Sequence, residues 1–368
     1  RERLSIDKRI EIEGVDGGVD CSPTEINGIQ SGGSHLPAMT VTNADGLTLR
    51  QITVRNAGEG TVCGQNTGDE IGIDVLDTSN ALFEDICLLE NGVTEMRLRG
   101  DSDNNTLRDI TIDGVIRTPP PEFLDACGHR SREGILIDGW PTCEGGSDAI
   151  ASGNVIENLV ASGVSRGVSL RFADSTEILS STITASNAPA WDGGNYSVGV
   201  LVSLSDNVRL EANRIGQTDQ TEGVRSAGRD AASCVTTRTD TSGTVLDGNI
   251  IEDVSGAGLR LFQASGDPGA PVSTLARCND LVFNGVGADV DWASFGGTAT
   301  VLELNASRSN TVRVRHTAGA TLSARESGWN CPSGPGGAGG GTGDTVVGAV
   351  TFAPGLSSPA RTDGDNDG

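Results

Sequence analysis

Chemistry in this chain would have to come from a few polar clusters. Around CGHRSRE (127–133), Asp125, His129, Arg130, Arg132 and Glu133 place carboxylates, an imidazole and guanidiniums in one short run. Two neighbouring arginines disfavour the imidazolium, which suits His129 to a general base. Guanidiniums, including Arg166 and Arg171 further along, suit bidentate capture of a carboxylate or sulfate. Arg130, Arg171, His129, Glu133 and Asp125 therefore form the candidate catalytic set. Trp191, Tyr196 and Trp140 are rings able to stack on a pyranose, and Arg132, Arg166 and Asp192 could hold its polar substituents, so these six are the candidate glycan-binding set. Asp69 and Glu70, and Asp363, Asp365 and Asp367 in the closing RTDGDNDG, offer oxygen ligands for calcium. That last run stops before a closing Glu, so it is not an intact EF-hand loop, and a disordered acidic tail fits it equally. Each candidate has a plainer alternative: Trp140 as a packed loop anchor, His129 as an incidental histidine, most carboxylates as solvated surface. His35 and His316 show no metal-ligand spacing with His129.

Such residues need a scaffold to bring them together, and the sequence supplies one by repetition. LTLRQITVRNAG (47–58), ALFEDICLLENG (81–92), NTLRDITIDGV (105–115), NVIENLVASGV (154–164), TEILSSTITASN (176–187), NVRLEANRIGQ (207–217), TVLDGNIIEDVSG (244–256) and NTVRVRHTAG (310–319) are versions of one segment. Each pairs two short runs of alternating apolar residues, the pattern of short strands. Between them recurs a Gly-apolar-x-apolar element, as in IGIDVLDTSN (71–80), GILIDG (134–139), GVSLRFADST (167–176), VGVLVSLSDN (198–207) and GLRLFQASGD (258–267), closing in a short Asp/Ser/Asn turn. The minimal spacing reads as about 24 residues, from Ile86 to Ile110 and from Leu159 to Ile183. One unit cannot bury its own apolar face, so the units must stack into a solenoid.

With three short strands per turn, the chain resembles the right-handed parallel β-helix superfamily, the pectate-lyase-like group and its repeat relatives. RERLSIDKRIEIEGVDGG (1–18) is similar to the opening coils of such proteins, and the resemblance runs over residues 1–325. It implies an all-β, right-handed parallel β-helix of roughly nine to eleven coils. The expected organisation is a β-helix over 1–330, a Gly-rich linker over 331–344 and a short strand with an Asp/Gly-rich tail over 345–368. Within the repeats the fourth position runs Ile52, Ile86, Ile110, Leu159, Ser181, Asn213 and Asn249. Stacked Asn side chains at 213 and 249 would hydrogen-bond along the solenoid axis. Insertions at 57–70, 116–133, 187–197 and 217–231 all leave after the first element, so they should crowd one edge and frame one face, while the opposite turns stay short.

On this fold, polygalacturonase-like hydrolases carry four motif blocks. Here QNTGDE (65–70) and CGHR (127–130) match only fragments, and no complete catalytic motif is found. β-Eliminating lyases use a Lys or Arg base with calcium. The single lysine, Lys8, lies in the opening coil, which leaves an arginine-based site.

Composition narrows the partners. The chain has 26 Lys+Arg against 50 Asp+Glu, a formal net charge of −24. That balance opposes nucleic-acid binding and adsorption on anionic lipid. Only 3% of residues are aromatic and 52 are Gly, against a helical protein. No apolar run is long enough to span a membrane, no signal peptide is present and Arg1 is not Met, so the chain reads as a mature or excised segment. Eight cysteines without a C-x-x-C pair favour disulfides and an extracellular, cell-surface or periplasmic location. Cys127 and Cys143 are the expected pair, and the remaining pairing is open. The expected function is a secreted or cell-surface module that recognises a polysaccharide or cell-surface glycan, or serves adhesive display. A polysaccharide lyase or glycoside hydrolase acting on an acidic polysaccharide is the alternative, and a self-associating extracellular filament subunit the second.

Overall fold

The computed structural model describes residues 4–14, 21, 24–27, 37–55, 71–114, 131–139, 149–185, 197–216, 220–228, 240–263, 269–292, 300–303, 305–317, 322–325, 336–337 and 345–351. Among them every regular element is a β-strand, and the strands pair in parallel from coil to coil. The chain divides into two compact units, Arg1–Val200 and Leu201–Gly368.

In Arg1–Val200 each coil contributes to three sheets. The glycine-led sheet stacks Met39–Thr42, Ile71–Leu76, Thr94–Arg99, Ser131–Asp138 and the second half of Val160–Arg171. The middle sheet stacks Glu11–Glu13, the first halves of Thr48–Arg55, Leu82–Leu89 and Thr106–Asp113, then Val155–Glu157 and Glu177–Leu179. The third sheet begins with Glu25–Asn27, continues with the second halves of those long strands, and ends with the start of Val160–Arg171 and with Thr182–Ala185.

A single left-handed residue separates the middle and third sheets in each coil. Gln51, Asp85, Asp109, Asn158 and Ser180 hold φ between 49° and 55°. Asp and Asn tolerate that region because their short polar side chains bond locally, so the bend is written as a polar residue between two apolar runs. Alternation then points Leu49, Ile52 and Val54, and their equivalents in later coils, into a closed core. Ile52, Ile86 and Ile110 lie directly above one another, as the repeat requires. The 24-residue spacing from Leu159 to Ile183 does not hold. The bends at Asn158 and Ser180 are equivalent, Leu159 accordingly faces Ser181 at a separation of 22, and Ile183 lies opposite Ala161.

Leu201–Gly368 repeats the plan with a polar interior corner. Asn249 Nδ2 donates to Asn279 Oδ1 at 2.8 Å, Asn279 Nδ2 donates to Asn305 Oδ1 at 3.0 Å, and Asn213 Nδ2 donates to Asn249 Oδ1 at 2.9 Å. Backbone N–H groups of the same residues donate to the same oxygens. The Asn stack expected at 213 and 249 is therefore real and runs two coils further. A second corner repeats it, where the Asn284 backbone N–H donates to Asn310 Oδ1.

Part of the 217–231 insertion is strand. Glu222–Ala227 pairs with Ala257–Gln263 and buries Val224. The sequence hid it because Ser226, fully buried, occupies the second apolar position of the Gly-apolar-x-apolar pattern. Near the end, Thr345–Val347 pairs with Val314–Arg315 and Val350–Thr351 with Leu322–Ser323.

Candidate functional site

The outer face of the glycine-led sheet in Arg1–Val200 gathers the charged residues. Its strands open on Gly72, Gly134 and Gly167, whose positions have no room for a side chain. A Cβ on Gly167 would lie 2.1 Å from Ile183 Cγ2 and 2.7 Å from Gly199 O. The glycine thus lets the chain turn tightly from the third sheet into this one, and the alternate residues that follow point outward.

Successive coils put Asp74, Arg97, Leu136 and Ser169 in one outward row and Leu76, Arg99, Asp138 and Arg171 in the next. Asp74, nearly buried, accepts from Arg97 Nε at 3.0 Å and from Arg99 Nε and a terminal nitrogen at 3.2 and 2.8 Å. Arg171 forks onto Asp138, with Nε at 2.7 Å from Oδ1. Arg166 donates to Glu133 Oε1 at 2.9 Å, and Ser169 Oγ donates to the same oxygen at 3.3 Å. Four arginines thus meet three carboxylates. One carboxylate serves both Arg97 and Arg99, and among the described residues Arg97 makes no hydrogen bond through its two terminal nitrogens. Among the described residues of this face, four guanidiniums thus stand beside three carboxylates on a chain of net charge −24.

Chain connections also favour this face. Residues 56–70, 115–130 and 186–196 each leave the third sheet and return at the start of a glycine-led strand, so all three enter along one edge. Residues 140–148 instead leave from the opposite end, after Asp138 and Gly139. In Leu201–Gly368 the connections 229–239, 264–268 and 293–299 follow the ends of strands equivalent to the glycine-led ones. The pattern of insertions thus differs between the two units.

Of the residues singled out from sequence, the structure brings Glu133, Arg166 and Arg171 onto this one face. All three lie on strands: Arg171 in the Gly-apolar-x-apolar element that the sequence marks, Arg166 just before it, and Glu133, at the end of the 116–133 insertion, on Ser131–Asp138. Arg132 lies on the same strand as Glu133, and its side chain falls outside the described residues. Asp125, His129, Arg130, Trp140, Trp191, Asp192 and Tyr196 lie outside the described residues, as do Asp69, Glu70, Asp363, Asp365, Asp367, Cys127 and Cys143. Sequence reasoning missed Asp74, Arg97, Arg99 and Asp138. The available signal was the x of each Gly-apolar-x-apolar element, which must point outward once the flanking apolar residues point in. Among the described residues no group of three or more His, Cys, Asp or Glu could hold a metal ion, and no helix is long and apolar enough to cross a membrane.

Elsewhere charges form ladders that tie coil to coil. Arg50 and Arg108 both pair with Glu84, and Arg277 pairs with Asp247 at 2.7 Å. Hydrogen bonds to these carboxylates raise Arg108 and Arg277 above the usual guanidinium value. On the glycine-led strands of Leu201–Gly368, Glu222 pairs with Arg225 and Arg260 and Asp289 with Arg315, while both Arg225 and Arg260 lie against the Phe262 ring, 4.3 and 4.5 Å from its centroid. A single disulfide, Cys21–Cys87, is found among the described residues.

No protein-family profile matches the chain, and no curated protein matches it in sequence. Solved structures match it by fold. PfbA, a surface adhesin of Streptococcus pneumoniae, superposes with a TM-score of 0.60 at 10% identity, over 88% of this chain and 76% of that one. The A-module of mannuronan C-5 epimerase AlgE6 from Azotobacter vinelandii gives 0.50 at 16% identity, over 94% and 81%. An alginate lyase from Paenibacillus sp. gives 0.50 at 14% identity, over 86% and 89%. The chain has the right-handed parallel β-helix fold that these proteins share.

Proposed function

We propose that this chain is a secreted or cell-surface β-helix that recognises an anionic polysaccharide on the outer face of its glycine-led sheet. The observation that carries the reading is the sharing of Asp74 by Arg97 and Arg99. Asp74 fixes both guanidiniums in place and leaves the terminal nitrogens of Arg97 available, so the face presents a preorganised donor pair of the geometry a uronate carboxylate or sulfate ester accepts. On so acidic a chain these guanidiniums would draw such a ligand to this face against the repulsion of the remaining surface. Arg166 and Arg171, held by Glu133 and Asp138, would supply further donors to successive sugars along the stack.

We favour recognition over turnover because an always-charged guanidinium donates hydrogen bonds but offers no lone pair for proton abstraction. The surface adhesin and the polysaccharide-acting enzymes among the structural neighbours are compatible with either reading. The disulfide suits an oxidising, extracellular setting.

The test is a glycan array probed with the full chain and with Leu136→Trp, which places a bulky ring between Arg97 and Ser169 on the exposed face. Signals on uronate or sulfated polymers should disappear in the variant. Equal signals from both proteins would remove this face from recognition. Ultraviolet absorbance from unsaturated uronate products during long incubation would replace binding with lyase activity.

A further inference from the structure

Charge on the outer face of the glycine-led strands of Arg1–Val200 alternates from coil to coil. Among the described side chains, Ile71–Leu76 presents Asp74, Thr94–Arg99 presents Arg97 and Arg99, Ser131–Asp138 carries Glu133 and Asp138, and Val160–Arg171 carries Arg166 and Arg171. Glu95, on the second of these strands, is fully buried against Asn91 and takes no part. Two basic coils therefore flank an acidic one. Adjacent parallel strands lie about 4.8 Å apart, so the basic coils are separated by about 10 Å.

Height above the sheet sharpens the alternation. The carboxylates lie low, the side chains of Asp74, Glu133 and Asp138 being 4% to 11% exposed. Those of Arg97, Arg99, Arg166 and Arg171 are 18% to 41% exposed. Between the two basic coils stands Leu136, half-buried, in register with Arg97 on one side and Ser169 on the other. A ligand laid from coil to coil thus meets a cationic rung, an apolar side chain and a second cationic rung, with Glu133 and Asp138 low in the middle coil.

A pyranose in an extended 1,4-linked chain is close to one coil spacing long, so successive sugars fall on successive coils. A polymer charged at every sugar would set an anion over Leu136, where it gains no donor and approaches two carboxylates. An uncharged sugar there lays its CH groups on Leu136, and its charged neighbours reach the guanidiniums on both sides. The middle coil selects by penalty and the outer two by attraction.

We infer that this face selects a polysaccharide in which a uronate alternates with an uncharged sugar, the uncharged unit seated on Leu136 between the Arg97–Arg99 and Arg166–Arg171 rungs. The inference rests on the recognition reading above and narrows its ligand. The Leu201–Gly368 unit, taken by itself, alternates in the same sense: after a mixed coil with Glu222 and Arg225 come Arg260, then Asp289 and Asp291, then Arg315.

The test is calorimetry of the full chain with two oligosaccharides of equal length, an oligogalacturonate charged at every sugar and an oligomer alternating glucuronate with N-acetylglucosamine. The alternating oligomer is expected to bind about tenfold tighter although it carries half the charge, about the worth of one charge-assisted contact. Leu136→Arg adds a guanidinium at the middle coil and should bring the two affinities within about threefold by strengthening binding of the oligogalacturonate. Equal or tighter binding of the oligogalacturonate to the unaltered chain would overturn the inference and leave uronate recognition standing, and this comparison decides even where the variant fails to fold. A preference that a folded Leu136→Arg chain retains in full would overturn the seat on Leu136. Binding of neither oligomer would overturn uronate recognition by this face, and the inference with it.

Discussion

Replacing Asn279 by Ala tests whether the asparagine ladder holds the Leu201–Gly368 unit together. Asn279 is buried, and its Oδ1 accepts from the Asn249 backbone N–H at 3.0 Å and from Asn249 Nδ2 at 2.8 Å. Its Nδ2 donates to the Leu246 carbonyl and to Asn305 Oδ1, both at 3.0 Å. After truncation Asn249 Nδ2 still reaches the Leu210 carbonyl and Asn305 Oδ1 still accepts from the Asn279 N–H. The Asn249 backbone N–H and the Leu246 carbonyl lose these side-chain partners. The Leu246 carbonyl keeps its place in the parallel ladder, so at about 1–3 kcal/mol for the one buried N–H left unpaired the cost is about 1–3 kcal/mol. Arg277→Met, one bend away, removes an exposed ion pair with Asp247 and should cost less than about 1 kcal/mol. Urea unfolding followed by circular dichroism gives both values. A solenoid can unfold in parts, so fluorescence and hydrogen exchange must report the same transition before the numbers are compared. A cost for Asn279→Ala no larger than that for Arg277→Met would refute the claim that ladder satisfaction, and not surface charge, secures this corner.

Gly167→Ala should destabilise Arg1–Val200 by about 1–3 kcal/mol in the same assay, because its Cβ would meet Ile183 Cγ2 at 2.1 Å and the backbone must shift. Cys87→Ser removes a crosslink closing 66 residues and should cost up to about 4 kcal/mol by chain entropy, read as a lower urea midpoint in non-reducing buffer. Burial, and secondarily Asp247, raise the Cys278 thiol above its ordinary value, so iodoacetamide should label it slowly at neutral pH and faster as pH climbs beyond the usual thiol range. The sign for stability follows: the folded state keeps this proton longer than the unfolded one, so its contribution is complete below the unfolded thiol value and declines as pH rises toward the folded one.

The coil plan was legible because it depends on alternation and on small left-handed corner residues, both visible in one dimension. Asp85, Asp109 and Asn158 mark bends by residue type, and Ile52, Ile86 and Ile110 mark the interior by spacing. The Asn stack was legible from Asn213 and Asn249 for the same reason, since two polar residues at an apolar position need partners. The strand at Glu222–Ala227 was not, because Ser226 breaks the pattern while remaining buried. The candidate site was harder still. Glu133, Arg166 and Arg171 stood out by charge, whereas Asp74, Arg97 and Arg99 come from two adjacent coils, and their sharing is a matter of register. The partner of Cys87 likewise is Cys21, 66 residues away, a pairing that no sequence spacing encodes.

The most direct test of anionic-glycan recognition is a salt and ligand titration of the full chain by calorimetry. A polyuronate and its carboxyl-reduced counterpart are compared, each against the unaltered chain and Arg97→Met. The polyuronate should bind, salt should weaken it, and Arg97→Met should weaken it about tenfold, the loss of one charge-assisted contact, while the carboxyl-reduced polymer binds poorly to both proteins. Equal affinity for the two polymers, or an Arg97→Met chain that binds the polyuronate as tightly as before, would contradict it.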